Sequence, residues 1–183
     1  MRLFIAVPLP EAARVETSAI LRRLRQLDWP VRWVRDEGLH VTLKFFGEVT
    51  SDRVDAIVEM LDFATRGTGP MALTLSGAGA FPPSRQPRVI HLGIDAEPGL
   101  ELLQDRIERG GEQLGFPPEG RTFRPHLTLG RVREGHRLPV GWESELERVP
   151  PGSPFLADRI VLFESHLGEG GPSYAARHEV MLR

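Results

Sequence analysis

A chain of 183 residues, 40% apolar and 26% charged, has the composition of an ordinary soluble globular protein, long enough for one good core or two small lobes. A net charge of −2 and a pI near 6.3 exclude a generic nucleic-acid coat, whose grip would rest on counterion release across many phosphates. The lack of cysteine excludes disulfides and thiolate chemistry and makes a cytoplasmic location the default expectation. No apolar run reaches the length of a membrane span, and the run that starts at Met1 is cut by Pro8 too soon for a signal peptide.

Residues 2–8 read as a buried strand, and Pro10 opens a helix over 11–27 in which Ala13, Thr17, Ile20, Leu24 and Leu27 recur at helical spacing. Trp29-Pro30 ends that helix, a short strand follows at 31–34, and Asp36-Glu37-Gly38 turns the chain into a strand over about 39–46. Thr50 or Ser51 is placed to cap a helix whose Val54, Ile57, Val58, Leu61 and Ala64 form one apolar face. Next come a strand at 71–77, a loop rich in Gly and Pro at 79–87, a strand at 88–95 and a helix over about 98–114 carried by Leu100, Leu103, Ile107 and Leu114. Gly110-Gly111 costs that helix about 2 kcal/mol relative to alanines, so its last turn is expected to fray. A strand over about 124–132, a polar stretch with at most one short helix near 142–148, and strands at 156–163 and 174–182 complete the chain. Several neighbouring strands are linked too closely for crossovers, which predicts an α+β fold with mainly antiparallel sheets, and no linker is long enough to separate domains. Residues 1–183 are therefore expected to form a single bilobed unit.

Two of these strands carry the same word. His40-Val41-Thr42-Leu43 recurs 86 residues later as His126-Leu127-Thr128-Leu129. The strand period of two puts His and Thr on one face and the aliphatics on the other, so each copy offers an imidazole beside a hydroxyl on a greasy back. The same offset lays Arg2-Leu3-Phe4-Ile5-Ala6 on Arg88-Val89-Ile90-His91-Leu92, and Met71-Ala72-Leu73-Thr74-Leu75 on Ala157-Asp158-Arg159-Ile160-Val161. Two similar halves follow. If an approximate two-fold relates them, two sheets face each other across a central cleft with helices outside, and the two histidines meet there.

Two imidazoles near pH 7 supply an acid and a base, which suffices to cleave a phosphodiester without a metal when hydroxyls and cations hold the non-bridging oxygens. Zinc would need three or four ligands, and neither motif carries Asp, Glu or Cys at strand spacing, although His91 could be recruited as a third. No Gly-x-Ser-x-Gly elbow is present for serine chemistry. Lys44, the only lysine, lies by strand parity on the face of His40 and Thr42 and is a candidate for substrate binding. By the same parity Arg131 lies opposite His126, so its participation needs a twist or bulge, which Gly130 could supply. Phe45 takes the place of Arg131 in the first copy, which predicts a cation on one side of the site and an aromatic for the base on the other. His91 is a candidate stacking residue, Arg85 and Arg88 could steer RNA, and His136, His166 and His178 read as surface or structural.

At these residues the chain resembles the 2H phosphoesterase superfamily, named for paired His-x-Thr-x motifs, and within it the bacterial RNA 2′,3′-cyclic phosphodiesterases formerly called 2′-5′ RNA ligases. The resemblance extends over the start at Phe4-Ile5-Ala6-Val7-Pro8-Leu9, over Leu39 to Gly47, Pro87-Arg88-Val89 and Arg124 to Arg131, and over Ser165-His166-Leu167 with Gly171 and Tyr174. It implies a bilobed fold with the site between the lobes, His126 as the base that activates water, and His40 as the acid that protonates the departing 3′ oxygen and leaves a 2′-phosphate. It further implies that Thr42 and Thr128 bind phosphate, that Arg131 adds positive charge, and that no metal or cofactor is used. The expected partners are RNA ends or small cyclic-phosphate nucleotides, acted on by a monomer, with 2′-5′ ligation as the reverse reaction. A binding module without turnover, or the same chemistry on a small cyclic nucleotide, is the alternative.

Overall fold

A computed structural model describes residues 1–83, 86–168 and 171–183. The apolar run Leu3 to Val7 is fully buried in strand β1 (Arg2–Pro8), and helix α1 (Glu11–Arg25) follows at Pro10. Strand β2 (Val31–Trp33) leads through a 3-10 turn, Asp36–Gly38, into β3 (His40–Glu48), which carries the first motif. A second 3-10 turn, Ser51–Arg53, starts α2 (Val54–Ala64), so neither Thr50 nor Ser51 caps the α-helix itself. Strand β4 (Met71–Phe81) runs well past its expected end, because its far half pairs with β5 (Val89–Ala96) where a loop was expected from residue 79. Arg85 lies outside the described residues.

Helix α3 (Pro98–Gln113) continues unbroken through Gly110-Gly111, against the expectation of fraying. A side chain at Gly111 would collide with the Lys44 methylenes that cross the helix there, so the glycine serves close packing. The second motif lies on β6 (His126–Val132), and α4 (Trp142–Glu147), β7 (Pro154–Ala157), β8 (Arg159–Gly168) and β9 (Gly171–Met181) complete the order. Among the described residues no helix is long and apolar enough to cross a membrane.

Every ladder is antiparallel, and the strands follow the order β7-β4-β5-β6-β3-β1-β8-β9, with β2 added beside β6. The two expected sheets are thus continuous, joined at the centre where Val41 pairs with Leu127, one residue of each motif. Outward from that seam the halves mirror each other, β6-β5-β4 against β3-β1-β8, so each half borrows a strand from the other half of the chain. The offset is not uniform. Ala6 faces Thr42 while His91 faces Thr128, so β1 and β5 are related by 85 residues rather than 86.

Candidate active site

Both motif strands show the same sequence of exposure, with the His and Thr half-buried, the two intervening aliphatics buried, the next residue buried and the one after it exposed. The cause is a bulge at the same place in each copy. Ile5 pairs with Lys44 and Ala6 with Thr42, which leaves Leu43 extra. Ile90 pairs with Gly130 and His91 with Thr128, which leaves Leu129 extra. One extra residue reverses strand parity, so Phe45 and Arg131 return to the face of the histidines.

That reversal overturns the expected position of Lys44. Its side chain is only 1% exposed and points to the reverse face, where Nζ donates to Oε1 of Glu108 at 2.7 Å and to the Pro117 carbonyl at 3.3 Å. It cannot bind substrate in the cleft. At the matching position, a Cβ on Gly130 would press on the side chains of Val31 and Trp33, because β2 covers that spot. The reverse face thus holds a lysine under α3 on one side and a glycine under β2 on the other.

The histidines are held alike. Nδ1–H of His40 donates to the Gly38 carbonyl and Nδ1–H of His126 to the Arg124 carbonyl, each at 2.8 Å. A carbonyl only accepts, so the proton sits on Nδ1, and neither Nε2 has a hydrogen-bond partner among the described residues. The surroundings differ. His40 packs against Phe4 and Tyr174, with ring centroids 4.7 and 5.2 Å away, and Phe163 stands behind them. Burial there, less the pull of the Gly38 carbonyl and with a further push from the charge of His126, lowers its pKa to about 4. The two motif histidines are therefore close enough to feel each other's charge.

His126 meets Phe81 and His91 edge to face, at 5.2 and 5.6 Å, while Phe81 and His91 stack at 4.0 Å. His91 faces the cleft across from Thr128, and burial, followed by the charge of His126, lowers its pKa to about 4 as well. Its Nδ1 is buried without a hydrogen-bond partner among the described residues. Among the same residues no group of three or more His, Asp or Glu side chains is gathered so as to hold a metal ion.

Thr17 and Thr65 donate their hydroxyls to backbone carbonyls one helical turn back. Thr42 and Thr128 make no such bond among the described residues, which leaves both hydroxyls available to a ligand. Phe45 is 41% exposed under the guanidinium of Arg2, 5.2 Å from its ring centroid. His178 ties β9 to α2 through Asp62, His136 bonds the Glu134 carbonyl, and His166 lies at the surface. The aromatic wall of Phe4, Phe163 and Tyr174 around His40 was not expected as part of the site. Tyr174, the only tyrosine, belonged to the resemblance without a role.

The neutral state of the half-buried His40 bears on stability. Its folded pKa is depressed from 6.5 to about 4, so its contribution is fully present above pH 6.5 and is lost as pH falls toward 4. The thermal midpoint is expected to drop over that range, and to drop less in His40→Gln, whose amide does not titrate. Parallel curves for the two proteins would show that His40 is not held neutral.

An antiparallel sheet folded about a pseudo-two-fold, with a His-x-Thr-x pair on each side of one cleft, defines a 2H phosphoesterase. The chain belongs to the 2′-5′ RNA ligase superfamily, whose sequence profile matches residues 9–169. It is 36% identical over 176 residues to the RNA 2′,3′-cyclic phosphodiesterase of Methanothermobacter thermautotrophicus, a match that covers 95% of each chain. The crystal structure of TT0787 of Thermus thermophilus superposes with a TM-score of 0.85 at 30% identity, covering 100% of this chain and 98% of the other. Escherichia coli LigT complexed with 3′-AMP superposes with a TM-score of 0.75 at 25% identity, covering 99% and 97%.

Proposed function

We propose that this chain opens the 2′,3′-cyclic phosphate at RNA ends to a 2′-phosphate, without a metal, using His126 as base and His40 as acid. RNA 2′,3′-cyclic phosphodiesterase is the activity by which its curated relatives are named. The observation that carries the reading is the matched pair of imidazoles on adjacent strands, each with Nδ1 tied to a carbonyl and Nε2 without a partner among the described residues. Nε2 of His126 takes a proton from water as the water oxygen bonds to phosphorus. The bond from phosphorus to O3′ breaks, and Nε2 of His40 gives its proton to O3′. The hydroxyls of Thr42 and Thr128 and the guanidinium of Arg131 hold the non-bridging oxygens, and Phe45 offers a face to the base.

His40 is neutral near pH 7 in the empty cleft, so its acid form has to come with the substrate. An anionic phosphate beside the ring favours the imidazolium, and binding is expected to take up a proton. The test is one panel of cyclic phosphates on RNA oligonucleotides and on single nucleotides, with the product phosphate located by NMR and EDTA in a parallel arm. Opening to the 2′-phosphate, unchanged by EDTA, is expected. Loss of activity with EDTA would overturn the metal-free route, tight binding with no product would make the chain a binding module, and opening of single nucleotides alone would move the substrate to that class.

A further inference from the structure

Two arginines face each other where β2 is laid beside β6. Arg32 pairs directly with Arg131, flanked by Val31 with Val132 and Trp33 with Gly130. Direct partners in an antiparallel pair share a face, so both side chains rise on the cleft side, and both are exposed. Like charges placed this way repel, and neither guanidinium has an ion pair or hydrogen bond among the described residues. The acids of the next segment do not relieve them. Asp36 is bound by Arg25 at 3.1 Å, and Glu37 pairs with no cation among the described residues.

The backbone beneath is firmly held. The amide of Val34 donates to the Leu129 carbonyl at 2.9 Å, that of Arg133 to the Pro30 carbonyl at 2.8 Å, and Trp29 stacks on Trp33. With Arg131 assigned to the cyclic phosphate, Arg32 on the same fixed ladder is left for a second anion one strand further out. Among the described residues the feature has no counterpart in the other half, where residues 117–119, which match β2, form no strand. One strand row separates Thr128 from Arg131, about 7 Å. Because β3 and β6 run antiparallel through the Val41–Leu127 pair, Arg131 lies toward the His40 end of β3, the same end of the cleft as the aromatic wall.

We propose that Arg32, beside Arg131, binds the phosphodiester that joins the terminal nucleotide to the rest of an RNA chain. This rests on the function proposed above and adds what that reading leaves open, why an RNA end would be preferred over a single cyclic nucleotide and which way the chain leaves the site. A single nucleotide has no second phosphate and ignores Arg32.

The test compares wild type with Arg32→Gln and Arg32→Lys on adenosine 2′,3′-cyclic phosphate and on a trinucleotide with the same cyclic end. Arg32→Gln is expected to lower kcat/KM for the trinucleotide on the order of tenfold, to leave the single nucleotide within about twofold, and to reduce the salt slope for the trinucleotide by about 1. Arg32→Lys should restore the salt slope. Thermal midpoints should not fall, because the substitution removes a repulsion. Equal losses on both substrates, or none on the trinucleotide, would overturn the subsite. If wild type opens neither substrate, the proposed function itself fails and the subsite with it.

Discussion

His40→Ala and His126→Ala are each expected to lower opening of a 2′,3′-cyclic phosphate by about 10²–10⁴-fold, the usual contribution of a positioned proton-transfer group. The double variant should be little worse than either single one, since the two act in one transition state. The local match of the motifs makes the roles hard to tell apart by loss alone, and a change of leaving atom separates them. With sulfur in place of the 3′ bridging oxygen, the departing thiolate needs no proton. That substrate should restore most of the rate lost in His40→Ala and none of that lost in His126→Ala. Restoration in His126→Ala instead would exchange acid and base, and restoration in neither would mean that neither imidazole protonates the leaving atom. Because His40 packs against Phe4 and Tyr174, His40→Gln serves as the control for a variant whose aromatic wall has collapsed.

The asymmetry between the copies bears on the same question. His40 sits in an aromatic enclosure that holds it neutral when empty, and His126 borders a stacked Phe81 and His91 pair. In the acid role proposed above, His40 would stay unprotonated until an anion arrives, which would tie proton uptake to binding. This suits an enzyme whose substrate brings its own negative charge.

How much of this could be read from residue order depends on whether the deciding contact is local. The doubled tetrapeptide and the strand and helix periods are local, and they located both motif strands and the helices, with one residue of each motif meeting at the central seam. The bulges are not local. Leu43 and Leu129 are extra only because β1 and β5 pair with the motif strands in a register that no short window reveals. Simple alternation therefore placed Lys44 in the cleft and required a special device for Arg131, when one device, used twice, moves both. A signal was present: Lys44 and Gly130 occupy matching positions, and a lysine and a glycine are poor equivalents on a shared substrate face. The far half of β4 reads as a loop because Gly79, Pro82, Pro83 and Pro87 make that stretch rich in turn residues, a local signal that the ladder to β5 overrides. Tyr174 reaches His40 from the last strand, a contact between residues far apart in the chain.

The ion pair that replaced the expected role of Lys44 carries the second large effect. Glu108 accepts from Nζ of Lys44 at 2.7 Å, from the Glu119 amide at 2.8 Å and from Nε2 of Gln104 at 3.3 Å, so it joins the reverse face of β3 to α3 and to the loop before β6. Glu108→Gln would leave the ammonium of Lys44 buried without its counter-charge. Breaking a buried pair from one side costs about 3–5 kcal/mol. In a chain of this size that is a fall of roughly 10 °C in thermal midpoint. Lys44→Met should cost less, because Glu108 keeps two donors and is 15% exposed. The double variant Lys44→Met with Glu108→Leu should recover much of the loss, since an apolar pair of similar volume avoids desolvating either charge. What separates this role from substrate binding is turnover. At temperatures where each variant is folded, kcat and KM are expected to stay within about twofold of wild type, since a contact that binds neither ground state nor transition state moves neither constant. A raised KM in Lys44→Met with an unchanged melting curve would return the lysine to the cleft. Because the glutamate also holds the loop that delivers His126, a fall in kcat confined to Glu108→Gln would instead locate its influence in that loop.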